Sequence, residues 1–130
     1  MLKTWKDFGV NPCKINVVLI SHLHGDHFVD LPFFMFDKFF NDSSEKTVIY
    51  CPIGTLNKLE ELFNIIFPRD FEKVYSGSNI EFREFEKIDN EEVLPGIFVD
   101  SYEVNHGNCK PAHGFTIKKE NKILRSFWRQ

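Results

Sequence analysis

The stretch INVVLISHLHGDH, residues 15–27, joins an apolar run to a segment that holds three histidines and one aspartate. Residues 15–21 are rich in β-branched side chains, which predicts a strand buried on both faces. His22 and His24 follow directly, two positions apart. In an extended chain, residues i and i+2 project to the same side. Both imidazoles can therefore face one metal ion.

The residues after His22 and His24 indicate a position for a second metal ion. Gly25 lets the chain turn sharply, so that Asp26 and His27 can be aimed at an adjacent ion. Imidazole and carboxylate ligands suit zinc, and also manganese or iron. The carboxyl end of a strand is also where open α/β folds usually place their chemistry. The alternative to a metal site is a solvated polar loop that contains these residues by chance.

Length, composition and charge limit the class of protein. A chain of 130 residues with 42% hydrophobic residues is a folded globular chain of one domain. The net charge of −3 predicts no general affinity for nucleic acid or an anionic membrane. The three cysteines form no C-x-x-C pair and no disulfide framework, which indicates a reducing cytosol. We find neither a signal-peptide pattern nor an apolar run long enough to span a membrane.

The remaining patterns predict an alternation of helices and strands. Thr55 is the predicted N-cap of the clearest helix, which Pro68 ends. The order of the predicted helices and strands along the chain is that of a mixed α/β layer structure. We predict helices over 2–9, 31–40 and 54–67, strands over 47–52, 79–86 and 96–106, and a hairpin over 113–124.

The H-x-H-x-D-H pattern at positions 22–27 resembles the signature of the metallo-β-lactamase superfamily of metal-dependent hydrolases. The form SHLHGDH resembles most the ribonuclease Z-like branch of that superfamily. We judge that the resemblance covers most of residues 10–124. It implies an α/β fold, namely a partial metallo-β-lactamase αββα sandwich, formed as a single domain over 1–130.

The resemblance also implies a set of metal ligands. His106, at the end of the predicted strand 96–106, matches the histidine that completes the first metal site in the family. By resemblance, His22, His24 and His106 bind the first metal and Asp26 and His27 bind the second. The expected metal is Zn²⁺, with Mn²⁺ or Fe²⁺ as the alternatives. Asp26 is in addition the catalytic residue, linked to proton handling of the water between the metals. A zinc-bound water has a pKa of ~7, so hydroxide forms at neutral pH.

The function implied is phosphodiester hydrolysis of an RNA or small-molecule substrate. Lactams, thioesters, cyclic nucleotides and lactones are also handled on this fold, and a fold does not choose among them. His113 and Cys109 lie near the proposed ligand in sequence. We interpret His113 as structural or surface-exposed and Cys109 as a buried structural cysteine.

The sequence departs from the family pattern in several places. The aspartate that bridges both metals in relatives and their last histidine have no counterpart, and Val29 and Asp30 stand where relatives commonly have two glycines. We therefore expect a chain that lacks the family's opening strands and C-terminal half and ends in an unmatched tail, RSFWRQ. A second copy or a complementing chain would then cover its open sheet edges. The alternative function is a catalytically incomplete remnant or metal-binding module.

Overall fold

The computed structural model describes residues 14–24, 28–41 and 44–125. The predicted helix over 2–9 lies outside these residues. The predicted helix over 31–40, the strand over 47–52 and the hairpin are confirmed. The elements in chain order are β1 (Val17–Leu19), α1 (Leu31–Phe40), β2 (Thr47–Pro52), α2 (Thr55–Ile66), α3 (Phe71–Gly77), β3 (Ile80–Phe85), β4 (Glu91–Leu94), β5 (Ile97–Glu103), β6 (His113–Lys119) and β7 (Lys122–Arg125).

The first core lies between a parallel sheet and the helices. The sheet has the strand order β1-β2-β3. Ile20, Ile49 and Cys51 point from this sheet toward the helices and are almost fully buried. The helices complete this core with Leu31, Phe34, Met35, Leu59, Phe63 and Val74. The apolar stripes read from the helical periodicity are therefore the surfaces that cover one face of the sheet.

The second core lies on the opposite face of the same sheet. Val17, Val48 and Tyr50 alternate with the residues of the first core, as a strand buried on both faces requires. They pack against Val99 and Phe115 of an antiparallel sheet with the order β4-β5-β6-β7. The described residues thus form three layers, one helical and two of sheet, which confirms the α/β class. All three helices described belong to the first core, so a fourth layer of the αββα sandwich is not among these residues.

Two local predictions were wrong, and two short elements were not predicted. Gly54 is the N-cap of α2, with φ of 94°, and the Thr55 hydroxyl instead donates a hydrogen bond to the Pro52 carbonyl at 2.6 Å. Helix α3 and strand β4 were not predicted, because each is too short for a periodic signal. Strand β5 ends at Glu103 rather than at His106. The residues between β5 and β6 form a loop, closed by the hydrogen bond from Val104 N–H to the Ala112 carbonyl at 2.9 Å.

A buried lysine joins α1 to β2. Lys38 is 1% exposed, and its ammonium donates to the Glu45 carbonyl and to the Thr47 hydroxyl, both at 2.7 Å. The Thr47 hydroxyl donates in turn to the Ile15 carbonyl at 2.5 Å. A buried charge is tolerated only when such bonds replace its hydration, so Thr47 holds together three segments of the first core. None of the helices in the described part of the chain combines the length and hydropathy that crossing a membrane requires.

We predict that Thr47→Val lowers the free energy of unfolding by about 1–3 kcal/mol, because it removes a partner from the buried ammonium. Urea denaturation at constant pH measures the change. Thr116→Val, at a half-buried position on β6, is the matched control and should shift stability by less than about 0.5 kcal/mol. Equal stability of the two variants would contradict this account of Lys38.

Candidate metal centre

Two segments from different sheets bring the histidine side chains together. His22 and His24 follow β1, and the chain stays paired as far as Ile20, whose N–H donates to the Tyr50 carbonyl at 2.9 Å. His106 lies in the loop between β5 and β6. A turn fixes that loop, with the Cys109 N–H donating to the His106 carbonyl at 3.1 Å. Gly107 takes a φ of 57°, which favours glycine, so the loop can turn directly after the histidine.

The three imidazoles form a compact cluster. The ring centroid of His22 is 4.8 Å from that of His24 and 4.5 Å from that of His106, and the His24 and His106 centroids are 4.9 Å apart. His24 Nδ1 and His106 Nε2 are separated by 3.2 Å, and one nitrogen of each ring lies within 4.8 Å of the others. The structure therefore brings together residues that are 82 positions apart in sequence.

This geometry fits a tetrahedral metal ion. Zinc–nitrogen bonds of ~2.0–2.1 Å at tetrahedral angles place two nitrogens about 3.3 Å apart. The 3.2 Å separation of His24 Nδ1 and His106 Nε2 matches that distance. The widest separation is 4.8 Å, so the rings must rotate before all three nitrogens can contact one ion. Three imidazoles without a carboxylate among them are a donor set that suits zinc and other borderline divalent ions.

Burial differs across the cluster. His22 is 1% exposed, His106 is half-buried and His24 is exposed. The Nδ1 atom of His22 lies 2.7 Å from the Ser21 hydroxyl, which is also buried. One side of the cluster is thus held in the protein interior while the other opens to solvent. An ion bound here would keep an accessible position, as catalytic zinc sites do.

A backbone hydrogen bond ties the two sheets together beside the cluster. The N–H of His113, the first residue of β6, donates to the Ser21 carbonyl at 2.9 Å. The His113 ring is 1% exposed and meets the Phe85 ring edge to face at 4.8 Å. Of the two alternatives for this histidine, the structure supports the structural one. Burial lowers the pKa of the His113 imidazole, and the nearby Glu103 carboxylate opposes part of that effect.

The structure does not describe the other two predicted metal ligands. Asp26 and His27 lie outside the described residues, so their role stays a prediction. Cys109, which we interpreted as a buried structural cysteine and not as a ligand, is half-buried. Within residues 14–24, 28–41 and 44–125, His22, His24 and His106 are the one group of three or more metal-binding side chains close enough to share an ion.

Several known proteins are similar to this chain in sequence. No protein-family model matches the chain. Ribonuclease Z from Picrophilus torridus is 26% identical over 121 residues, which are 93% of this chain and 36% of that protein. Ribonuclease Z from Pyrococcus horikoshii is 30% identical over 118 residues, which are 87% of this chain and 34% of that protein. The chain thus spans about a third of the length of these curated relatives.

Solved structures share the fold. The short form of human tRNase Z matches with a TM-score of 0.70 at 18% identity, over 95% of this chain and 52% of that one. YhfI from Bacillus subtilis, a metallo-β-lactamase fold protein, matches with a TM-score of 0.64 at 16% identity, over 96% of this chain and 46% of its own. Zn²⁺-bound PqqB from Methylobacterium extorquens matches with a TM-score of 0.54 at 18% identity, over 85% of this chain and 33% of its own. These matches confirm the metallo-β-lactamase fold expected from the sequence.

We predict that His24→Ala and His106→Ala each weaken zinc binding by more than about 100-fold. Loss of a residue that only orients a ligand already costs about 10–100-fold, and loss of the ligand itself should cost more. Competition with a chromophoric chelator measures the affinity. His113→Gln, which alters a histidine outside the cluster, is the control and should bind zinc within about threefold of the unmodified chain. Equal losses in all three variants would contradict the assignment.

The buried His113 ring also predicts how stability depends on pH. Its folded pKa is lowered, so below the unfolded value of ~6.5 the unfolded chain takes up a proton that the folded chain does not. The stabilisation is complete above that value and is lost as the pH falls. We expect the metal-free chain to lose more unfolding free energy between about pH 7 and pH 5 than His113→Gln does. Parallel denaturation curves for the two proteins would contradict this prediction.

Proposed function

We propose that this chain, which has the metallo-β-lactamase fold and a sequence similar to about a third of ribonuclease Z, is the metal-binding part of a phosphodiester hydrolase. The observation that carries the proposal is the cluster of His22, His24 and His106 at the end of β1. One pair of its ring nitrogens, His24 Nδ1 and His106 Nε2, has the separation that a tetrahedral ion requires, the third ring lies beside them, and its open side faces solvent. We propose zinc as the ion, in a single domain that covers residues 1–130.

In this proposal each histidine has a distinct part. His22 holds the ion from the interior, His106 holds it from the loop of the antiparallel sheet, and His24 holds it at the rim. A zinc ion so held lowers the pKa of its water to ~7 and polarises a phosphoryl oxygen. The exposed His24 edge is the side from which a phosphodiester can approach. The buried His22 edge keeps the ion fixed while the substrate binds.

Asp26 and His27 complete the proposed chemistry. They follow His24 by two and three positions, and they would hold a second ion that helps the first to stabilise the attacking and leaving oxygens. We propose that the Asp26 carboxylate holds this ion and takes up the proton of the attacking water. A carboxylate in this place suits both tasks, since it is a hard oxygen ligand and a general base.

We propose an RNA phosphodiester as the substrate, because the similar proteins are ribonuclease Z. The net charge of −3 gives the chain no broad basic surface for RNA. A second copy or another chain would therefore supply much of the RNA contact, and β7 offers it an exposed apolar edge at Ile123 and Leu124. The cysteine pattern supports a cytosolic location.

We predict that the full chain hydrolyses bis(p-nitrophenyl) phosphate when zinc or manganese is added. Asp26→Ala should reduce turnover by at least about 100-fold, the usual contribution of a general base. Asp30→Ala, which removes a carboxylate four positions further along the chain, is the matched control and should keep most of the activity.

The outcome separates the two functions considered. Turnover that depends on both metal and Asp26 supports the hydrolase. A folded chain that binds zinc and hydrolyses neither this ester nor a 3′-extended tRNA is a metal-binding module, and the proposed hydrolase is then wrong.

A further inference from the structure

We infer that Ser21 is a positioning residue for the metal centre: its hydroxyl accepts the Nδ1 hydrogen of His22 and so leaves Nε2 as the atom that binds the ion. The inference rests on the proposed function, since it concerns how one ligand of that site is oriented. It goes beyond that function because it assigns a task to a residue outside the H-x-H-x-D-H pattern.

The first support is the contact itself. Ser21 Oγ and His22 Nδ1 are 2.7 Å apart, a short distance for a hydrogen bond to nitrogen. Ser21 is 5% exposed and His22 is 1% exposed. In the interior such a bond is not exchanged freely with water, and breaking it costs the desolvation of both groups. It can therefore decide which of the two imidazole nitrogens carries the hydrogen.

The second support is the rigidity of the Ser21 backbone. Its carbonyl accepts the His113 N–H at 2.9 Å, across the gap between the two sheets. The residue before it, Ile20, is held by β2 through the Tyr50 carbonyl. Ser21 is thus anchored to both sheets, and its hydroxyl is a fixed reference for the His22 ring. A hydroxyl on a mobile loop could follow the ring and would not orient it.

The third support is the different use of nitrogens within the cluster. His24 turns its Nδ1 toward His106, whereas His106 turns its Nε2 toward His24. The rings of the cluster thus do not all use the same nitrogen. At His22 the Ser21 hydroxyl occupies Nδ1. A neutral imidazole has one hydrogen, so a hydrogen on Nδ1 gives Nε2 the free electron pair that a metal needs.

The tautomer of His22 in the metal-free chain is the direct test. Long-range ¹H–¹⁵N correlation spectra at about pH 8.5, where histidines are neutral, distinguish a hydrogen on Nδ1 from one on Nε2. We expect His22 to carry it on Nδ1 in the unmodified chain and in Ser21→Thr, and to populate both forms in Ser21→Ala. A hydrogen on Nε2 in the unmodified chain would overturn the inference. This measurement needs no bound metal, so its result does not depend on whether the chain is a hydrolase.

Zinc affinity is the second readout. Ser21→Ala should weaken binding about 10–100-fold, as the loss of groups that orient ligands does elsewhere, and Ser21→Thr should restore it by returning the hydroxyl. Ser78→Ala removes another buried serine hydroxyl and should leave affinity unchanged. Affinity within twofold of the unmodified chain in Ser21→Ala would overturn the inference, as would an equal loss in Ser21→Ala and Ser21→Thr. Circular dichroism of each variant shows that it is folded.

The results that would contradict the proposed hydrolase differ from those that would contradict the role of Ser21. A chain that binds zinc, shows the Ser21 effects and has no hydrolytic activity retains the inference and loses the hydrolase. An active chain whose metal affinity does not respond to Ser21 retains the hydrolase and loses the inference.

Discussion

The hydrogen bond from the His113 N–H to the Ser21 carbonyl fixes the place where the two sheets meet. One of its residues follows β1 and the other begins β6, so this bond holds the end of a parallel strand next to the start of an antiparallel one. The histidines of the candidate metal centre lie between these two residues in sequence. His22 comes directly after one partner, and His106 comes seven positions before the other. The cluster of imidazoles can form only while these two strand ends stay adjacent.

Packing on both faces of the parallel sheet keeps them adjacent. Val18 and Ile49 contact the helices, whereas Val17 and Val48 contact the antiparallel sheet. Because successive side chains of a strand point to opposite faces, a shift by one residue would exchange the two cores. The register of β1 is therefore strongly determined, and with it the direction in which His22 and His24 leave the strand. Rigid support at one end and an open side at the other are what a catalytic metal site needs.

Much of this arrangement could be predicted from local sequence. The apolar run over 15–21 and the stripes of the two long helices carry periodic signals, and the H-x-H spacing indicates a shared ion without knowledge of the fold. His106 could be chosen only by resemblance, since a lone histidine after a strand has no distinctive pattern. His24 and His106 come together because the two sheets pack against each other, and no local stretch of sequence contains that packing.

Other features depend on contacts that sequence does not display. The short elements α3 and β4 are stabilised by their neighbours rather than by their own periodicity. Gly54 and not Thr55 is the N-cap of α2, and the Thr55 hydroxyl donates to the Pro52 carbonyl. The bond between Ser21 and His22 joins adjacent residues, yet nothing in their order says that both are buried. The bond is strong because Ser21 and His22 are buried. The antiparallel sheet, which meets this segment at His113, contributes to that burial.

The central claim is that one ion is held by three imidazoles from two sheets. X-ray absorption at the zinc edge tests it on the full chain loaded with less than one equivalent of zinc. We expect a nearest shell of nitrogens at about 2.0–2.1 Å, with the outer scattering of three imidazole rings. A chain that retains no zinc, or a zinc shell of oxygens with one imidazole at most, would contradict it.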